Sequence, residues 1–307
     1  MKCTVLCPNC RKPLLEEEKR WICPEGHSFD KAREGYVNLL FRHGGTHGDN
    51  REMVLARRKF LDSGHYLPLR LLLCGRVKEQ SPKTLLDAGC GEGYYTEGLC
   101  AALPQGELWG VDISKEALVC AGKRLKGKAK LAVASIYGLP FEDGCFEALT
   151  LTFSPYSGEE YRRVLKENGL LYMVIPGPQH LWELKEVLYE RPYENEVRDP
   201  ALPGLEYLSG GSDLLHKRGA GGGFAESVQD DAVFLQNAPR GQRTGKSLLG
   251  FGFDDGISSP AVSESGNGQE INRTNCERIS CAKGKNFHFE SFSQNILNFP
   301  LEFCFQV

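Results

Sequence analysis

Apolar and polar positions along this 307-residue chain fall into four regimes. The first forty residues carry short apolar stretches broken by Pro and Gly turns, which suits a small ribbon with little core of its own. Residues 51–79 read as helix, with Met53, Phe60 and Leu61 as an apolar set and Arg57, Arg58 and Lys59 as a basic cluster. Gly64, His65 and Tyr66 interrupt that helix. From Lys83 onward, short apolar runs alternate with helical patterns. Strands are expected at Thr84 to Ala88, up to Asp112, Lys130 to Ala134, Ala148 to Phe153 and Leu170 to Ile175. Helices are expected from near Tyr94 and over 114–125, 157–166 and 178–190. Alternation at this spacing predicts an α/β doubly wound parallel sheet. After Tyr207 neither a period of 2 nor one of 3.6 is sustained, and Gly219 to Gly223 is nearly all glycine.

Within the ribbon stand Cys7, Cys10, Cys23 and His27, as C-x2-C, twelve residues, then C-x3-H. Pro8 and Asn9 turn the first pair, and Pro24 and Gly26 turn the second. Two-residue spacing lets both sulfurs face one ion, and three thiolates with one imidazole fill a tetrahedral shell. The pattern predicts a closed structural zinc site; the competing reading is four unligated side chains in a reducing compartment. Cys3 is a spare thiol. His43, His47 and His65 fit no ligand geometry and are expected to be solvated loop histidines.

The stretch Lys83 to Thr96, K-T-L-L-D-A-G-C-G-E-G-Y-Y-T, runs from a strand through Gly89, Gly91 and Gly93 into a helix. Such glycines let backbone approach a ligand at the carboxyl end of a parallel strand. Asp87 stands two residues before the first glycine, a placement suited to the amino-acid part of S-adenosylmethionine. Asp112, 23 residues past Gly89, closes the next strand, where a carboxylate can accept bonds from ribose hydroxyls. Ser135, followed by Leu139-Pro140-Phe141, matches an adenine-side loop. Together these motifs resemble the class I S-adenosylmethionine-dependent methyltransferases, preceded here by a zinc ribbon. Cys90 reads as a small turn residue rather than a nucleophile.

The strings C-P-N-C, C-P-E-G-H-S-F-D, A-R-E-G-Y-V-N-L-L, A-R-R-K-F-L-D-S-G-H-Y-L-P-L, D-A-G-C-G-E-G-Y-Y-T and I-P-G-P-Q-H-L-W-E-L-K narrow this further. Over about residues 5–200 the chain resembles the RlmA-type 23S rRNA (guanine-N1)-methyltransferases. The resemblance implies methyl transfer to N1 of a guanine in a 23S rRNA hairpin, with zinc held by Cys7, Cys10, Cys23 and His27. It implies that Tyr66, Gly91, Glu92 and His180 contact S-adenosylmethionine and that Asp112 holds its ribose. It also favours RNA contact by Arg57 and Arg58 over a solvated helix face. Guanine N1 carries a proton that must leave, so a base is needed near the methyl group. Phe153-Ser154-Pro155-Tyr156 offers no carboxylate, leaving Glu92 and Tyr156 as candidates.

Charge and composition bear on partners. The net charge is −3, yet residues 1–80 hold 15 Lys and Arg against 10 Asp and Glu, a basic bias facing an anionic partner. No apolar stretch is long enough for a bilayer, and Met1-Lys2 opens no signal peptide, so membrane contact is not expected and the location reads as cytoplasmic. The 12 cysteines do not form a disulfide framework. Oligomeric state stays open, with a homodimer as one form. A non-catalytic RNA- or partner-binding protein, and a small-molecule methyltransferase, are the alternatives.

The sequence divides into a ribbon (1–40), a helical connector (41–80), a methyltransferase core (81–205) and an unassigned remainder (206–307). The core is expected to lack its last strands, leaving the strand at Leu170 to Ile175 with an open edge. Glu226 to Arg240, back-translated and read one nucleotide on, can give K-A-F-K-T-M-P-F-F-Y-K-T-P-R, a segment of the family type. A reading-frame shift near 205–215 is therefore expected, testable by sequencing the gene. Gly241 to Ser247 is one residue short of a Walker loop and no strand precedes it.

Overall fold

The ribbon closes on three very short strands. β1 (Leu15–Glu16), β2 (Arg20–Ile22) and β3 (Ser28–Asp30) pair antiparallel in that order. The computed structural model describes residues 3–40, 48–182, 185–186, 189–196 and 202, and the backbone of 205–211 and 230–237. His43, His47, the string 241–247 and the three cysteines after residue 270 lie outside the described residues, as does most of the expected frame-shifted segment.

β4 (Tyr36–Asn38) leaves the ribbon and pairs parallel with β7 (Lys130–Val133), becoming an edge strand of the large sheet. The end of the ribbon segment is thus tied into the large sheet. α1 (Arg51–Asp62) starts where the Asn50 side chain accepts from the Met53 amide at 3.0 Å, an N-cap that satisfies an orphan donor. Gly64, at φ +91°, breaks the chain before α2 (Leu67–Gln80), as its composition predicts. His65, in the turn between the helices, is half-buried rather than freely solvated: its ring stacks on Phe60 at 5.6 Å, because the tight turn brings the two together.

The core alternates as expected: β5 (Thr84–Ala88), α3 (Tyr94–Ala102), β6 (Glu107–Asp112), α4 (Lys115–Leu125), β7, β8 (Phe146–Thr152), α5 (Gly158–Val164) and β9 (Leu165–Pro176). With β10 (Leu205–Gly211) and β11 (Asp230–Asn237), the strand order is β10-β11-β9-β8-β5-β6-β7-β4. The chain winds outward from β5 to β7, then returns to β8 on the other side. That reversal opens a crevice at the carboxyl ends of β5 and β8, where open α/β sheets bind ligands.

The expectation of missing last strands is corrected. β11 (Asp230–Asn237) pairs antiparallel with β9 from Asp230 opposite Pro176 to Gln236 opposite Leu170, and β10 (Leu205–Gly211) lies outside it. The edge of β9 is covered, and the core runs past residue 205. The physical reason is that ladder bonds require backbone, not alternation. Ala232-Val233-Phe234-Leu235 is a continuous apolar run, the pattern of a strand without a polar face. Helical residues at Trp182, Lys185 and Glu186 lie within the helix expected over 178–190.

One apolar core joins ribbon to sheet. Val5, Leu14 and Trp21 of the ribbon pack in the same cluster as Trp109, Val111, Phe141 and Phe146. The Trp21 and Trp109 rings lie 5.9 Å apart, and Lys130 Nζ sits over both, 5.7 and 5.3 Å from their centroids. Leu6 N–H donates to the Pro140 carbonyl at 2.9 Å across this seam.

Candidate functional site

Two turns of the ribbon bring four ligand atoms to one point. Cys7, Cys10 and Cys23 Sγ and His27 Nδ1 lie within 4.8 Å of one another. Cys10 and Cys23 sulfurs are 3.7 Å apart, and His27 Nδ1 lies 3.6 Å from Cys7 Sγ and 3.3 Å from Cys23 Sγ. A tetrahedron with metal–sulfur bonds near 2.3 Å and metal–nitrogen bonds near 2.0 Å has edges of roughly 3.5–3.8 Å. The donor set and spacing fit zinc with no position left for water. This is a structural centre, and it is the one metal-binding cluster among the described residues.

The crevice is built from backbone turns after β5 and β6. Gly89, Gly91 and Gly93 all have positive φ. At Gly89 a Cβ would lie 2.1 Å from Ser154 Oγ, so only glycine lets the β8 end close on this loop. A Cβ at Gly91 would meet nothing within 4 Å, and the loop is open there to a ligand. Asp112 braces the loop: its Oδ2 accepts from Gly91 N–H and its Oδ1 from Ser114 N–H, both at 2.8 Å. Each oxygen retains a second lone-pair direction for a ribose hydroxyl. Burial raises the Asp112 pKa, opposed by those two amides. Ser114 caps α4 through Ala117 N–H and donates to the Asp49 carbonyl at 2.7 Å, which ties the residues ahead of α1 to the loop after β6. Ser135, in the loop after β7, accepts from Tyr137 N–H at 3.2 Å, which closes a turn at that end of the sheet. The glycine cradle and the carboxylate fit S-adenosylmethionine.

Across the crevice, Tyr66, Phe153 and His180 converge from three elements. Tyr66 Oη and His180 Nε2 are 3.4 Å apart, and the Phe153 ring lies 5.7 Å from Tyr66 and 5.3 Å from His180. Phe153, the first residue after β8, has φ +49°, a left-handed conformation costing a bulky residue about 1–2 kcal/mol.

Residues 5–41 match a family model described as RlmA, N-terminal, and residues 85–169 match a methyltransferase domain. A 23S rRNA (guanine(748)-N(1))-methyltransferase of Streptomyces fradiae is 37% identical over 187 residues, covering 59% of this chain and 66% of the relative. A Micromonospora griseorubida protein named for 23S rRNA guanine-N1 methylation is 36% identical over 203 residues, covering 59% and 68%. YxjB of Bacillus subtilis, named for the same reaction, is 34% identical over 205 residues, covering 62% and 71%. The chain belongs to the RlmA-type 23S rRNA (guanine-N1)-methyltransferase family.

In this family member several side chains singled out in the sequence have other partners than expected. Asp87 is buried, and both its oxygens accept from threonine hydroxyls, Thr96 at 2.6 Å and Thr150 at 2.9 Å. It ties α3 and β8 to β5. Glu92 turns to Arg124 on α4, whose Nε lies 2.9 Å from Oε2, held by charge without good hydrogen-bond alignment. Only 2% of the Glu92 side chain is exposed, and its pairing with Arg124 argues against a base role. Its pKa is raised by burial against the pull of Arg124. Arg57 pairs with Asp49, and Arg58 lies 3.5 Å from Asp62. Cys90 is buried against Gly110, and burial pushes its thiol pKa up, which agrees with an inert turn residue. Thr96, Thr150, Arg124 and Phe153 were not singled out as site residues, because their roles depend on partners from 9 to 63 positions away or on one backbone angle.

Asp87 yields a pH prediction. Burial, more than any other cause, raises its pKa to about 6 from 3.8. The folded state therefore holds the proton more tightly than the unfolded chain. Its stabilising contribution is complete below pH 4 and is lost as pH rises to 6, by roughly 3 kcal/mol. Asp87→Asn removes that loss. The stability of D87N minus that of the unaltered protein is expected to increase between pH 4 and 6.5 in denaturant titrations. A difference flat across that range would refute the assignment.

Proposed function

We propose that this chain transfers a methyl group from S-adenosylmethionine to N1 of a guanine in 23S rRNA. The observation that carries the reading is the fusion, through one core, of a Cys3His ribbon to a glycine-loop crevice closed by Asp112. Bound there, the cofactor would supply an electrophilic sulfonium methyl. Gly89, Gly91 and Gly93 would admit its methionine end, Asp112 would accept from the ribose, and the turn at Ser135 would flank the adenine. Tyr66 and His180 would stand at the methionine side, near the methyl.

An unpaired guanine fits the crevice better than a stacked one, since N1 is engaged in Watson–Crick pairing within a duplex. Its N1 proton leaves as the methyl arrives, and Tyr156, half-buried beside β8, is the remaining candidate to take it. Arg58, with 37% of its side chain exposed, and Arg57 would contact RNA phosphates by exchanging partners. Among the described residues no helix is long and apolar enough to cross a membrane. We place the protein in the cytoplasm, with its rRNA.

The test is methyl transfer from labelled cofactor to 23S rRNA lacking the modification, with the modified base mapped. Label on guanine N1 supports the reading. Label on a small molecule, or cofactor binding with no transfer to RNA, would refute it.

A further inference from the structure

We propose that Phe153 is the stacking platform for the target guanine, fixing the plane of the base so that N1 faces the methyl donor; this rests on the function proposed above. Three observations carry it. The backbone at Phe153 takes a left-handed φ of +49°, although its own N–H still donates to the Val174 carbonyl of β9 at 3.0 Å, one residue past the end of β8. The chain turns at this residue and nowhere earlier. The turn carries the ring to Tyr66 and His180, residues from the α1–α2 turn and from beyond β9. An aromatic residue accepts strain here where glycine would take the same angle freely, and strained side chains of this kind gather at ligand clamps.

The second observation is position. The next residue, Ser154, packs against Gly89 so closely that a Cβ at Gly89 would meet its Oγ at 2.1 Å. Phe153 therefore stands one residue from the glycine loop, where the sheet order reverses between β5 and β8. The third is that the ring is only half-buried, so it keeps surface for a further partner.

The chemistry asks for such a platform. The electron pair that attacks the methyl lies in the plane of the guanine ring, so the base must approach edge-on. A base taken out of its RNA stack loses its neighbours on both faces. An aromatic ring at the strand end replaces one neighbour and sets the tilt of the base, with no hydrogen bond to the N1 edge.

The test uses full-length, zinc-loaded protein and an unmodified 23S rRNA hairpin. Phe153→Leu is expected to lower kcat between about 5- and 150-fold, the range of base–aromatic stacking. Its KM for RNA should change less than threefold, because phosphate contacts dominate that term. Its cofactor dissociation constant, by calorimetry, should stay within threefold. Phe153→Tyr should restore kcat to within about fivefold. Full turnover by F153L would overturn the platform. So would loss of cofactor affinity in step with kcat, which would make Phe153 a cofactor contact or mere support for Tyr66 and His180. Wild-type protein that binds cofactor but methylates no guanine would overturn the platform together with the function it rests on. An active wild type with an equally active F153L overturns the platform alone.

Discussion

Stripping zinc from this protein is expected to unfold much more than the ribbon. Strands of two and three residues bury too little to fold alone, and in zinc-finger peptides the metal supplies about 10–16 kcal/mol. Here the ribbon is also part of the sheet's own core. Trp21 packs on Trp109, and Val5 and Leu14 share their cluster with strands β5, β6 and β8. Releasing these three side chains to water costs about 5–9 kcal/mol at 1.5–3 kcal/mol each, comparable with the whole stability of many domains. A chelator, or Cys10→Ser, should lower Tm by about 10 °C or more in one cooperative transition, and cofactor affinity should fall with it. A ribbon that melts first, leaving the sheet with its original Tm and cofactor binding, would show that the shared core is not cooperative.

Replacing Asp112 should be the most damaging single change in the crevice. The carboxylate holds Gly91 and Ser114 amides at 2.8 Å and has lone pairs left for ribose. Alanine removes the ribose contacts and releases the turn that shapes the loop. Charge-assisted bonds are worth about 1.5–3 kcal/mol each, so cofactor affinity should fall roughly 100-fold or more. Zinc content and Tm should change little by comparison, since Asp112 touches no ribbon residue in these bonds. Asp112→Asn, which keeps one acceptor oxygen, should fall between the two. Because burial raises the Asp112 pKa, affinity in the unaltered protein should weaken as the pH drops into the carboxylate range. Equal loss of zinc and cofactor in D112A would defeat the separation of the two sites.

Local chemistry explains which parts of the site were legible. The zinc ligands could be read because knuckle spacing is itself the geometry: two turns, each carrying two ligands, need only be brought together once. The place of the glycine loop after β5 and of Asp112 at the end of β6 could be read because a βα turn and a strand end are local structures. Position points Asp87 at the cofactor, and the family resemblance does so for Glu92, but neither shows what each carboxylate meets in the folded chain. Whether a buried carboxylate faces a ligand or an internal donor depends on Thr150 and Arg124, far along the chain, and no spacing rule encodes that. At the basic cluster the Arg58–Asp62 pair is a local i,i+4 contact of the expected helix, whereas the Arg57–Asp49 pair forms only once the segment ahead of α1 is folded against it.

The closing strands mark the sharpest division. Alternation, turn residues and glycine placement determined the order of elements from β5 to β9 and the nature of both sites, because these depend on periods of two and 3.6 and on backbone freedom. Only the tertiary structure decided that β11 seals the edge of β9, that β4 crosses from ribbon to sheet, and that Trp21 meets Trp109. Strand pairing and packing join residues dozens to more than a hundred positions apart through backbone bonds and apolar surface. Neither leaves a pattern in the local sequence, so each becomes visible only when the chain closes on itself.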